Sequence, residues 1–252
     1  MSVTAPLLLL FDEGLEQVRR RFAALVENSP EYAMEEQIRS SGNFAILNKP
    51  PVGFEVGWAH GAVSLSGYRA VFADPPLGKS VTSLSIDFGP HLRAGGRSAP
   101  LARELLAVGA DLAEKLAANL VVWNPGKLVS KEAFFVESVQ SYLNGGVFPV
   151  LATVDFDYSS DESELRSTGL MWFSGQEIAL AGCGLRGQQL VRRAVRLVHD
   201  IATNGAVVMA QKVSDLDDDK LIDLAFEPQS DNLLHCVIRS KLDAKIGAPT
   251  LQ

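Results

Sequence analysis

Two periodicities run through this chain, and they do not alternate. Segments with apolar residues at every second position come in runs. Segments with apolar residues three and four apart interrupt those runs only about four times. A doubly wound fold needs a helix after nearly every strand. The order here instead predicts an α+β protein with mixed or largely antiparallel sheets and about four amphipathic helices.

The clearest helix carries Leu101, Leu105, Val108, Leu112 and Leu116 on one face. Ser98 is its predicted N-cap, with Pro100 in the first turn. Leu15, Val18, Phe22, Leu25 and Val26 mark a second helix, stopped by Asn28-Ser29-Pro30. A third spans 131–143 and ends at Asn144-Gly145-Gly146. The fourth carries Leu190, Ala194, Leu197, Val198 and Ile201 and ends at Asn204-Gly205. Predicted strands are 7–11, 44–47, 62–72, 81–88, 120–123, 147–156, 165–173, 178–181, 206–212, 221–226 and 233–239. In 81–88, Leu84, Ile86 and Phe88 alternate with Ser83, Ser85 and Asp87, so one face is buried and one wet. The glycine- and proline-bearing stretch 89–100 is the best candidate joint. It divides the chain into an N-terminal α+β subdomain, 1–95, and a C-terminal α+β domain, 96–252, unless the two form one compact unit.

Charge narrows the range of partners. The net charge is -7 and the isoelectric point about 5.2. A general nucleic-acid binder needs a basic face to neutralise phosphates, so no nucleic-acid partner is expected. The run Leu7-Leu8-Leu9-Leu10-Phe11 has no basic residues before it and meets Asp12-Glu13 at once. It is therefore expected to be a buried strand rather than a signal peptide. No stretch approaches the roughly 20 apolar residues of a membrane span. Cys183 and Cys236 have no metal-binding spacing and are expected to be buried free thiols. A cytoplasmic protein without membrane contact follows as the expectation.

Two motifs resemble binding loops. Ala73-Asp74-Pro75-Pro76-Leu77-Gly78-Lys79-Ser80 ends like a phosphate-binding loop. However, Ala73 replaces the first glycine, and Pro75 and Pro76 remove two backbone donors. A strand rather than a helix is predicted to follow. Gly182-Cys183-Gly184-Leu185-Arg186-Gly187 is a formal G-x-G-x-x-G between a strand and a helix. In a dinucleotide site those glycines permit a tight turn and close approach to pyrophosphate. Gly182, Gly184 and Gly187 are therefore the candidate cofactor-binding residues. The acid such a site needs at the end of the next strand is missing: 206–212 ends in Gln211-Lys212, and the nearest acid beyond is Asp215. A loop feeding an amphipathic helix explains the glycines equally well, and no cofactor is expected.

Weaker constellations complete the set. Asp155 and Asp157 alternate on a predicted strand and would share a face, as an acid–base or metal pair or as a solvated edge. Asp215, Asp217, Asp218 and Asp219 open like a calcium loop. Lys220 and Phe226 stand where its glycine and glutamate should be, so no metal site is assigned. Arg192, Arg193 and Arg196, with His199, form a basic stripe that could meet an acidic partner. Trp123 and Asn124, in the turn Trp123-Asn124-Pro125-Gly126, could line a pocket. No histidine pair and no G-x-S-x-G elbow supports catalysis.

The segment from Leu120-Val121-Val122-Trp123 through Asn124-Pro125-Gly126-Lys127-Leu128-Val129 and Glu132-Ala133-Phe134-Phe135 resembles a bacterial family, domain of unknown function 4261. The likeness continues through Phe148-Pro149-Val150-Leu151, Val154-Asp155-Phe156, Thr168-Gly169-Leu170 and the following long helix. It closes at Asp219-Lys220 and Val237-Ile238-Arg239, covering roughly residues 100–240. Where that family often has a histidine after the turn, this chain has Val129-Ser130. The resemblance implies a bacterial cytosolic protein without an assigned activity and carries over no catalytic residue. The expectation that follows is a non-catalytic protein-binding module of immunity or regulatory type. The alternative is a nucleotide- or metal-dependent enzyme using the Gly182 loop or the Asp155/Asp157 pair.

Overall fold

The computed structural model describes residues 5–35, 44–75, 79–92, 98–182, 184–216, 220–227 and 230–240. They form an α+β protein of two compact units, 1–153 and 154–252.

The first unit contains β1 (Leu7–Phe11), α1 (Leu15–Asn28), β2 (Ala33–Glu35), β3 (Phe44–Lys49), β4 (Val52–Ala62), β5 (Arg69–Val71), β6 (Ser80–Phe88), α2 (Ala99–Lys115), β7 (Leu120–Trp123), β8 (Leu128–Lys131), α3 (Glu132–Leu143) and α4 (Val150–Thr153). Its sheet has the order β2-β3-β4-β6-β1-β7-β8-β5, antiparallel except for β5 beside β8. The run Leu7–Phe11 is buried along its whole length because β1 lies inside this sheet with both faces covered. Leu7 and Leu9 face the helices; the Cβ position of Gly109 on α2 lies 2.2 Å from Leu7 Cδ2. Leu8 and Leu10 face the other way, into a cluster with Leu65, Val81, Leu120, Val122 and Val129. Phe22 of α1 meets Trp58 of β4 edge-to-face at 5.2 Å. Tyr32 donates to Asp111 Oδ2 at 2.6 Å, tying the chain after α1 to α2. Burial first, and the Asp111 carboxylate second, hold the Tyr32 hydroxyl well above its ordinary pKa.

The expected joint at 95/96 is corrected. β1 takes β7 as its neighbour, with Leu7 opposite Trp123 and Leu10 opposite Leu120. Residues 96–153 therefore complete the sheet that the first 95 begin, and the division falls at Thr153/Val154. The expected strand 62–72 is also displaced. The long strand is β4, whose glycines mask a regular alternation of buried Val52, Phe54, Val56 and Trp58. Gly57 is needed there because the Phe44 ring lies over it; a Cβ would sit 2.6 Å from Phe44 Cε1.

The second unit contains β9 (Asp155–Tyr158), β10 (Glu164–Thr168), α5 (Leu170–Ser174), β11 (Glu177–Ala181), α6 (Gln188–Asn204), β12 (Gln211–Ser214), β13 (Lys220–Glu227) and β14 (Ser230–Ser240). Its sheet runs β12-β13-β14-β11-β10-β9, with β11 and β14 parallel and the other pairs antiparallel. The buried stripe Leu190, Ala194, Leu197, Val198 and Ile201 of α6 is as the spacing predicts, and the helix packs on β10 and β11. Cys236 is a buried free thiol, and burial pushes its pKa up to about 12; Cys183 lies outside the described residues.

Three expected strands here are shorter than predicted. The segment 147–156 divides into the single turn α4 and strand β9. Thr153 Oγ1 donates to Pro149 O at 2.9 Å and closes that turn. The segment 165–173 breaks at Gly169, whose φ of 108° lies in the left-handed region, and continues as α5. In 206–212 only the last two residues join β12. Gln176 engages Val207 instead, as described below.

Candidate functional site

The glycine loop joins β11 to α6, as expected, and packing accounts for Gly182 while backbone conformation accounts for Gly184 and Gly187. A Cβ on Gly182 would stand 2.8 Å from both Leu185 Cβ and Leu190 Cδ2, so the missing side chain makes room for the chain's own leucines. Gly184 and Gly187 turn the chain, with φ of 74° and 54°. Gln189 N donates to Arg186 O at 3.2 Å, and Leu190 N to Gly187 O at 3.0 Å. The Cβ position of Gly187, at the start of α6, lies 3.4 Å from Glu162 Oε2. A carboxylate of the chain itself thus lies near the start of α6.

Topology argues the same way. In a dinucleotide unit, the strand after the helix lies parallel and close to the strand before it. Here β12 is at the far edge, and β11 takes β14 as its parallel neighbour. Asp215, the nearest acid, is withdrawn from any ligand. Both its oxygens accept from Arg193 Nε at 2.8 Å, with the two side chains 0% and 6% exposed. The stripe on α6 is corrected accordingly: Arg193 points inward, while Arg192 and Arg196 remain on the surface. Of the other loop, Pro76, Leu77 and Gly78 lie outside the described residues. Strand β6 begins at Ser80, immediately after Lys79.

Asp155 and Asp157 lie in different surroundings. Asp155 is buried, and its Oδ1 accepts from Phe156 N at 2.7 Å. Asp157 is exposed, opposite Arg166 on β10. In the adjoining turn, Asp161 accepts from Ser159 Oγ at 2.7 Å and Ser163 Oγ at 2.8 Å. These bonds, that from Ser159 foremost, lower its pKa to about 2. Among the described residues, no three histidines, cysteines or acids gather as a metal-binding group.

Trp123 and Asn124 both make structural contacts. Trp123 is buried. Asn124 Oδ1 accepts from the Tyr68 hydroxyl at 2.8 Å, its Nδ2 donates to Ala5 O, and its backbone N–H donates to Pro6 O at 3.0 Å. One side chain thus fixes the entry to β1, the 63–73 segment and the β7–β8 turn.

Two features are missing from the sequence reading. The first is Glu177, which fills a nest of donors: Ser167 Oγ at 2.5 Å, Gly169 N at 2.7 Å, Met171 N at 3.0 Å and Leu170 N at 3.2 Å. Ser167 Oγ in turn accepts from Ile178 N at 2.9 Å. A carboxylate eight positions after Gly169 carries no local signature. Glu177→Gln places an amide donor against donors and removes at least one charge-assisted bond. We expect a loss of about 2 kcal/mol in the second unit. Exchange of the Gly169, Leu170 and Met171 amides should rise by roughly 30-fold; exchange at the wild-type rate would contradict this account.

The second feature is the segment between α6 and β12. Gln176 is buried, its Nε2 donates to Val207 O at 2.8 Å, and its Oε1 accepts from Val207 N at 3.0 Å. This side chain therefore does for Val207 what a neighbouring strand would do. The residues it holds in place are displayed. Val208 is 82% exposed, Met209 68% and, just beyond β12, Leu216 47%. The apolar run 206–210 is visible in the sequence, but its exposure is not, because such a run normally marks a buried strand.

No family model, no curated protein and no solved structure matches this chain. Among the described residues no helix is long and apolar enough to cross a membrane.

Proposed function

We propose that this chain is a cytoplasmic, non-catalytic protein-binding module of immunity or regulatory kind. The observation that carries the binding reading is the exposure of Val208 and Met209 before edge strand β12 and of Leu216 after it. Monomeric proteins show single exposed apolar residues everywhere. Three exposed apolar side chains flanking a strand that, among the described residues, is the last of its sheet, with Val207 anchored by Gln176, are a different feature, and one that suits recognition of another chain. Arg192 and Arg196, exposed on α6, add positive charge to an otherwise acidic protein. The immunity or regulatory label and the cytoplasmic location lean on the likeness of residues 100–240 to family 4261 and are part of the same proposal.

The test is a photo-reactive benzophenone side chain placed at position 208 in the native host, with the same label at Glu27 on α1 as control. The expected result is an adduct specific to position 208, mapped by mass spectrometry to one identified protein. Absence of any adduct specific to position 208 would count against the binding reading.

A further inference from the structure

The arginines of this chain fall into two groups. Several meet a carboxylate of the chain itself: Arg21 meets Glu13 at 2.8 Å, Arg166 meets Glu164 at 2.6 Å, Arg193 meets Asp215 at 2.8 Å and Arg239 meets Asp223 at 3.0 Å. Arg186, Arg192 and Arg196 are exposed, and among the described residues none of them has an acceptor. All three lie in or just before the first half of α6. The helix itself does not favour these positions. A helix favours acids near its N-terminus and bases near its C-terminus. Here the first turn holds no acid, the last turn holds no base, and the one acid of the helix, Asp200, stands beyond the arginines. Arg192 and Arg196 are also one turn apart, a spacing at which like charges repel across about 6 Å. The arrangement weakens the free helix and is relieved by negative charge brought from outside.

We propose that Arg192 and Arg196, with Arg186 before them, form a docking surface for an acidic segment of a protein partner. The inference rests on the binding reading above and supplies the chemistry of what is bound. Guanidinium groups are planar forks that take a carboxylate through two parallel hydrogen bonds. The spacing of Arg192 and Arg196 suits carboxylates four residues apart on a helix, or two apart on an extended chain, where the repeat is roughly 7 Å. A nucleic acid also presents anions at intervals. It carries charge along its whole length, however, and the net charge of -7 opposes it outside these arginines. A short acidic segment needs only the local field, which screening confines to about 8 Å in physiological salt.

The test is a benzophenone side chain at Gln189, exposed one turn before Arg192, in the native host, again with Glu27 as control. The expected result is an adduct specific to position 189 whose partner peptide, sequenced by mass spectrometry, holds a pair of acidic residues at one of these spacings. Arg192→Glu with Arg196→Gln should cut the yield of that adduct by at least about tenfold, because a carboxylate would then face a carboxylate. The same variant should melt no lower than the wild type, since the helix gains nothing from the two cations. A lower melting midpoint would assign the arginines to the fold and overturn the proposal. So would an adduct to nucleic acid, an adduct peptide without such a pair of acids, or a yield that the double variant leaves unchanged. An adduct at position 208 with none at 189 would sink this inference while leaving the binding reading in place. No specific adduct at either position would sink both.

Discussion

Replacing Gly126 by alanine is expected to cost the first unit at least about 3 kcal/mol, the upper part of the range for overpacking a filled site. The added Cβ would stand 2.3 Å from Thr153 O and 3.2 Å from Trp123 Cδ1. Neither neighbour can yield cheaply. Thr153 is buried and bonded through its own hydroxyl to Pro149 O, and Trp123 is 1% exposed inside the sheet. The contact is with backbone, so no change of rotamer relieves it. Hydrogen exchange of the β1 and β7 amides is the direct measurement, since both strands lie inside the affected sheet. A thermal midpoint for residues 1–153 lowered by roughly 6–12 °C is the matching expectation. An alanine variant with wild-type protection in β7 would mean that α4 can retreat from the turn at no cost.

Asp215→Ala should have a comparable effect on the second unit, about 3–5 kcal/mol. Removing the carboxylate takes away the buried counter-charge 2.8 Å from the Arg193 guanidinium, and desolvation of that charge is then offset less. Arg193 Nη1 also donates to Gln189 O at 3.0 Å, so the side chain is anchored to its helix and cannot swing freely into water. The sharper test is the double replacement Arg193→Met with Asp215→Leu. It removes both charges together and should recover most of the loss, because a buried ion pair is often no more stabilising than apolar groups of similar volume. Denaturant melts of the single and double variants measure the coupling. Additive losses would show that the two side chains do not act as a pair.

Both predictions turn on contacts that no local pattern announces. The turn at Asn124-Pro125-Gly126 is legible from composition. That the hydrogen of Gly126 faces the carbonyl of Thr153 follows only from where α4 comes to rest. Similarly, Arg193 reads as one member of an arginine stripe, and Asp215 as the first acid of a charged turn. Their meeting depends on β12 lying beside β13, with Asp215 N bonded to Lys220 O. The displaced strands have the same origin. Gly169, Gln176 and Glu177 act across the chain on residues whose own propensities point to longer strands.

The glycine motif shows how one pattern can arise from different local demands. Gly182 leaves room for Leu185 and Leu190, while Gly184 and Gly187 hold the left-handed φ values of the turn, and these demands inside the chain suffice to explain all three glycines. A pattern of small residues records that a position must be glycine and does not record whether space or backbone conformation demands it.

The sequence by itself determined the class of this protein and the faces of its helices. Helical and strand periodicities depend on residues a few positions apart, so Leu105, Val108 and Leu112 on α2 and Leu190, Val198 and Ile201 on α6 are buried as their spacing requires. Only the tertiary structure decided that β1 sits between β6 and β7. It alone placed the division at Thr153/Val154, and it alone left Val208, Met209 and Leu216 in the open. Strand order, and the burial that follows from it, is set by which distant segments pair, and that choice is made by the whole chain at once.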